Sequence, residues 1–573
     1  EKLRRWAVDS SATHQDVTNL LRLLKSHSCF GVLPSCARTL LCTPRVSQNI
    51  IDMCDGKYCP FGVASGLLHE LGDLPDVPDV IFLNVNVDGL PLTKSTCDQF
   101  WPILCQVTNC GKMQPFPAGV YYGQSKALSA NSFLEPFVSE LEDILANGIC
   151  IQDKVVAVKI LAFVCDAPAK AYILSVVGHS GYFSCTKCVT EGEYAEGRMC
   201  FPQLDAALRT DSGFRSCAQE EHHRGETILT KLPVDLVKQV PLDYMHMVCI
   251  GVVHKLLILW FKGSKKYRLP TTVKDQISSK NIELQPYIAS DFNRKPRSLS
   301  QLAQWKATEF RLMLLYTGPV VLRGIIPERL YANFMVLHCA ITILARPTYC
   351  VVYADYAEKL LKHFVETFSS LYGKHLVSHN VHGLIHLAED VREHGPLDSW
   401  SAFPFENYMK SIKRHQRKPE KPLEQLHNRI MEERGIHKRR RTCSDSPVPS
   451  LVHSKGPLPT DCVGPQYRKI QLQGKFTLKA GKKDSTCLLK DGTTIQVDNI
   501  AFCAASGELR LIGRKFLSTC SLYSHPCDSL ILGIYMASRL SECSSWPLSS
   551  ISKKCLRFPL GNSWAIFPLC HLT

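Results

Sequence analysis

Two short ligand pairs stand almost two hundred residues apart in the chain, Cys185-Thr186-Lys187-Cys188 and His382-Gly383-Leu384-Ile385-His386. A C-x-x-C pair presents two thiolates from one turn, and H-x-x-x-H places two imidazoles on one helix face. Together they supply the four ligands of a tetrahedral structural Zn²⁺. His379 competes with His382 for one of these places, and in a chain with 26 cysteines a chance C-x-x-C is the alternative. If one metal joins both pairs, the chain between them must leave and return to the same neighbourhood. That segment is then an insertion into a fold, not the next domain in a string.

The pattern between and around the pairs fits this view. Val80, Phe82, Val85 and Val87 lie in a β-rich run ending at Asp88-Gly89, and Val155–Val164 (VVAVKILAFV) reads as a buried central strand ending at Cys165-Asp166. Phe133–Leu145 between them has helical spacing, with Glu135, Glu140, Glu142 and Asp143 on its polar face. Beyond about residue 200 helical signals dominate in Tyr244–Trp260, Ser300–Leu315, Tyr331–Leu344 and Asp355–Tyr372, and again in His379–Arg417.

The expected organisation is a Cys-rich N-terminal segment (1–78), a first α/β part (79–200), a helical insertion (201–375) and closing helices (376–417). A basic, Ser/Pro-rich linker (418–465) and a small β-rich C-terminal domain (466–573) follow. In the N-terminal segment, Val17–Leu24 reads as an amphipathic helix. Its cysteines, Cys29, Cys36, Cys42, Cys54 and Cys59, form no C-x-x-C pair and read as packing thiols before metal ligands. The chain starts at Glu1 without Met and without a basic-then-apolar leader, so the expectation is an incomplete N-terminus and no secretion.

Three acids stand where a two-metal phosphoryl-transfer site needs them. Asp88 and Asp166 end the two strands, and Glu406 opens a helix in Phe403-Pro-Phe-Glu406-Asn-Tyr408. Carboxylates on rigid strand ends can hold two Mg²⁺ (or Mn²⁺) about 3.5 to 4 Å apart, which activates a nucleophile and stabilises a leaving oxygen. Each acid alone has a plainer reading: Asp88-Gly89 as a turn, Asp166 as a helix cap, Glu406 as a solvated helix residue.

The order Asp88, Asp166, Cys185-x-x-Cys188, helical segment, His382-x-x-x-His386, Glu406 resembles the RNase H-like DDE transposases whose fold is interrupted by a helical insertion. The catalytic subunit of the V(D)J recombinase has this layout, and the CACTA (En/Spm-type) transposases and their animal relatives are closer still. The stretches that carry the resemblance are Asn84–Gly89, Ala162–Ala169, Gly178–Cys188, Pro241–His246, Gly395-Pro396 and Phe403–Tyr408, and it covers about residues 80 to 430. It implies an α/β RNase H-like core, Mg²⁺ on Asp88, Asp166 and Glu406, and structural Zn²⁺ on Cys185, Cys188, His382 and His386. It also implies a nuclear enzyme that cuts and joins double-stranded DNA at terminal inverted repeats, as a homo-oligomer. Asp243, in Pro241–His246, is the alternative third acid or a helix cap.

The net charge of +15 agrees with a polyanionic partner. Lys410, Lys413, Arg414 and Arg417 continue the Glu406 helix as a basic face, and Lys438, Arg439, Arg440 and Arg441 form a basic run suited to DNA contact or nuclear import. Trp305 reads first as a packing residue and second as a stacking platform for a base. No apolar run reaches the length of a membrane span. Two other functions compete: a catalytically silent, transposon-derived DNA-binding or chromatin-associated protein, and a zinc hydrolase, which a closed four-ligand zinc disfavours.

Overall fold

The computed structural model describes residues 1–45, 50–53, 55–93, 96–111, 113–436, 447–472 and 476–570. The chain divides into two compact units. One comprises Glu1–Val189, Leu208–Asp243 and Trp400–Arg441, and the other Thr190–Ala207, Tyr244–Ser399 and Thr442–Thr573.

The first unit is built on eight strands: β1 (Ile51–Met53), β2 (Gly56–Pro60), β3 (Val80–Val87), β4 (Leu90–Pro91), β5 (Gln99–Val107), β6 (Phe116–Gly123), β7 (Ile149–Ile151) and β8 (Lys154–Phe163). Their order is β1-β2-β6-β5-β3-β8-β7, with β4 added on β5. β3, β5 and β6 form an antiparallel meander, whereas β8 pairs with β3 in parallel. A parallel neighbour needs a crossover, and the helix Ala130–Asn147 lies in that connection. Ser129 caps this helix on the Ser132 amide. Phe133, Leu134, Phe137, Val138, Leu141 and Ile144 recur at helical spacing and bury one face in the core with Ile81, Leu83 and Val85 of β3.

β8 is a strand as expected, but its first half is covered on one side only. Val156, Val158 and Ile160 are buried, whereas Val155, Ala157 and Lys159 are exposed. Burial becomes continuous from Ala162 to Cys165, next to the acid. Glu140, expected on a solvated face, instead accepts hydrogen bonds from the Val63 and Ala64 amides at 2.8 and 3.0 Å and caps the helix Val63–Leu71.

The second unit contains the helical stretches Met245–Val253 and His254–Phe261, the helices Glu328–Leu344 and Ala354–Tyr372, and a ten-stranded C-terminal sheet system. The β region does not behave as a free tail. Buried Arg346 of the helical block donates to the carbonyls of Leu532 and Pro568, and its Nε lies 3.3 Å from Cys570 Sγ. Fully buried Lys554 pairs with Asp291 of the helical block and with Asp484, and donates to Thr477 O. Trp305 is buried against Phe310 and donates to Ser298 O, which is the packing role.

Several expected boundaries shift. Residues 208–243 belong to the unit of the first sheet, not to the helical block, whereas 190–200 and 376–399, expected in the α/β core, belong to the second unit. Strands β1 and β2, inside the expected N-terminal segment, are part of the first sheet. The stretch 418–465 contains a helix, Pro422–Arg434, and the strand Val448–His453, where a linker was expected. Leu423, Leu426, His427 and Ile430 of that helix are buried at i, i+3, i+4, i+7 spacing, and Pro422 starts the helix instead of breaking it. Among the described residues, no helix is long and apolar enough to cross a membrane.

Candidate metal centres

Cys185 and Cys188 lie in a loop that neighbouring backbone holds in shape. Cys188 bridges to Leu208, Arg209 donates its amide to Lys187 O and its Nε to Cys185 O, and Lys187 Nζ donates to Val237 O. Buried His222 meets the Phe183 carbonyl through Nδ1 at 2.6 Å, and burial with nearby Arg209 holds its imidazole down at about 4. The two Sγ atoms are 3.5 Å apart. Bonds of about 2.3 Å to a tetrahedral Zn²⁺ would set an S–S edge of about 3.8 Å, so the pair is close to its ligating spacing.

His382 lies in the last turn of the short helix His379–Gly383, and His386 closes the 3₁₀ turn after it. The helix tightens between them, yet their rings remain neighbours, with centroids 5.3 Å apart at 67°. Phe201 packs edge-on to His379 and tilted to His382.

Cys185, Cys188, His382 and His386 are all buried, and each offers a ligand atom within 4.8 Å of the others. Two soft thiols and two imidazoles in a buried cluster make a set that can bind a metal such as zinc. His379 is not part of this group. Nor is any cysteine of the N-terminal segment among the described residues; Cys54 lies outside them.

A second group consists of Asp88, His246 and Glu406, partly exposed, with ligand atoms within 4.8 Å of one another. Two of the three expected acids are therefore together. Asp88 follows β3 directly, and its Oδ1 accepts from the Gly89 amide at 2.7 Å. Asp166 is not in the group. It follows β8 at the same end of the parallel pair: Val85 pairs with Phe163, and each acid stands three residues further on. The Val164 amide still donates to Val85 O beyond the last rung. Asp166 accepts from the Ala169 amide at 2.7 Å and caps the helix Ala167–Ile173. Buried Cys165 beside it is pushed up to about 12, first by desolvation, with both Asp166 and Asp88 adding to the shift.

Glu406 lies in the first turn of the helix Phe403–His415. Asp243 is buried and accepts from the Ala402 amide at the start of that helix at 2.8 Å. It therefore ties down the start of a helix far away in sequence. His246, in the first turn of Met245–Val253, received no role from sequence. Its position in the Pro241–His246 stretch was the only signal.

Of the basic residues expected to meet DNA, Lys413 donates to Pro91 O at 2.6 Å, Arg417 donates to Ser11 O and Ala12 O, and Lys410 donates to Asn407. Lys438, Arg439, Arg440 and Arg441 lie outside the described residues.

Residues 452–569 match a protein family described as a domain of unknown function, DUF8592. The match covers the C-terminal β region and includes none of the residues in either metal group. A search of curated proteins finds no match to the chain.

Proposed function

We propose that this chain is a DDE-type DNA transposase, or descends from one, and carries out Mg²⁺-dependent strand cleavage and strand transfer at the ends of a DNA element in the nucleus. The carrying observation is the approach within 4.8 Å of Asp88 and Glu406, more than three hundred residues apart in sequence, at the strand end where β8 also delivers Asp166. Reactive sites of open α/β sheets gather at the carboxyl ends of parallel strands. A divalent ion bound by these carboxylates supplies charge stabilisation and a more acidic nucleophile. The chain's own contribution is positional: Asp88 is steadied by the Gly89 amide, and Glu406 by a helix start tied to Asp243. The cysteine–histidine cluster acts as a structural zinc site. Four protein ligands leave no open position for a substrate, which argues against a zinc hydrolase.

One observation favours a catalytically silent DNA-binding protein as the second reading. Asp166 stands outside the carboxylate group and is engaged as a helix cap. Nicking and strand transfer with Mg²⁺, comparing wild type with Asp88→Asn, Asp166→Asn and Glu406→Gln, tests the enzymatic reading. Loss in all three supports it, and wild-type activity in all three removes it. DNA binding by a wild-type protein that never cleaves favours the silent form.

A further inference from the structure

The first unit has a cleft of about 900 Å³ between its N-terminal helices and the segment that follows the Glu406 helix. Its wall is strongly cationic: Arg38, Arg417, Lys418, Lys421 and Arg429 line it, with Glu420 as the single carboxylate among the lining residues. The buried acid beneath, Glu432, is already engaged with His14, Thr43 and Arg429. Arg417 spends donors on the Ser11 and Ala12 carbonyls, which carry no net charge. Arg38, Lys418 and Lys421 are exposed and have no carboxylate partner among the described residues. His415 at the cleft, 3.3 Å from Glu433, is held down to about 4 by burial and then by Arg429 and Arg417 against Glu432, and Arg417 is lowered by burial and by Arg429 against Glu432 and Asp16.

We infer that this cleft binds the phosphodiester backbone of duplex DNA. The phosphate chemistry follows from the cleft alone, and the choice of duplex DNA rests on the proposed function. The helix Phe403–His415 has Glu406 in its first turn and His415, a cleft residue, at its end. Nine residues at 1.5 Å each separate the acid from the cleft by about 14 Å along the helix, and two and a half turns put the two on opposite faces of it, so the cleft is a site separate from the acids. The three exposed cations sit on long stems along an open wall, which suits a row of phosphates better than one small anion.

The test is the salt dependence of duplex DNA binding, read by fluorescence anisotropy on the full chain without Mg²⁺. Each phosphate contact contributes about 0.9 to the slope of log K against log salt. The triple variant Arg38→Ala, Lys418→Ala, Lys421→Ala is expected to lose about 2 to 3 of that slope and at least tenfold in affinity at physiological salt. The single variants Lys418→Ala and Lys421→Ala should each lose about one. Truncating Lys479, Lys482 and Lys490, exposed in the C-terminal region, should change neither quantity. Wild-type slope and affinity in the triple variant would overturn the inference. So would a result in which pyrophosphate or single-stranded RNA, but not duplex DNA, distinguishes wild type from the triple variant. The triple variant leaves Asp88, Asp166 and Glu406 in place, and the salt slope is read without Mg²⁺ or cleavage, so failure of the nuclease reading and failure of the cleft give different results.

Discussion

The Asp243 carboxylate accepts a hydrogen bond from the Ala402 amide at 2.8 Å, across 159 residues of sequence, and so holds the start of the helix that presents Glu406. Asp243→Ala leaves that buried amide without its acceptor, and its expected cost is about 1–3 kcal/mol in urea unfolding. Asp243→Asn keeps an acceptor oxygen and should cost less. If Asp243 acts by position, Asp243→Asn retains most of the DNA cleavage rate. Abolished cleavage with unchanged stability would make it a direct metal ligand.

The cysteine–histidine cluster predicts one equivalent of zinc in the purified protein, measured by atomic emission. Cys185→Ser or His386→Ala should release it. Because metal binding to a site absent from the unfolded chain adds to folding free energy, removal by a chelator should lower the unfolding midpoint. The thiols must be deprotonated to bind, so retention should weaken as the pH falls. Zinc-free protein with an unchanged melting profile would show the cluster to be only a packing feature.

The parts of this arrangement that were readable from sequence were those carried by local periodicity. The runs ending at Asp88 and Asp166 announced strands, and the strands sit side by side in parallel with both acids at one end. The two ligand pairs were legible from their spacing, and they converge. Long-range polar ties left no such trace. Nothing local in Pro241–His246 says that Asp243 reaches Ala402, or that His246 joins Asp88 and Glu406. The helix Pro422–Arg434 was hidden by its Glu and Arg content and by the Lys and Pro residues just before it, although its buried positions keep helical spacing. Nothing local marks Arg346 and Lys554 as buried, because their partners lie in other segments.

Lys554 is fully buried between Asp484 and Asp291 and supports the union of the C-terminal strands with the helical block. Removing one member of a buried ion group strands the others, at about 3–5 kcal/mol. Lys554→Ala should therefore destabilise the chain by roughly that amount in denaturant unfolding. Lys554→Met together with Asp484→Leu, by removing charge from both sides, should recover part of the loss. Recovery comparable to wild type would show that the ions add specificity and little stability. A double variant no better than Lys554→Ala would show that Asp291 alone carries the unpaired cost.

His338 supplies a pH dependence with a definite sign. It is buried in the helix Glu328–Leu344, with Nδ1 at 2.8 Å from Leu314 O and Nε2 at 3.0 Å from the Tyr523 hydroxyl. Burial, with nearby Arg346, holds its imidazole down to about 4, against about 6.5 in an unfolded chain. Between these values the unfolded state binds the extra proton, so stability is complete above about pH 6.5 and falls as the pH drops towards 4. A depression of this size corresponds to about 3 kcal/mol for the one group. The urea midpoint of wild type should fall between pH 7 and pH 4.5, and His338→Gln, which cannot take the proton, should show a smaller fall. Equal falls in both proteins would assign the acid sensitivity to other groups, with His415, held down to about 4 by burial and by Arg429 and Arg417, as the next to substitute.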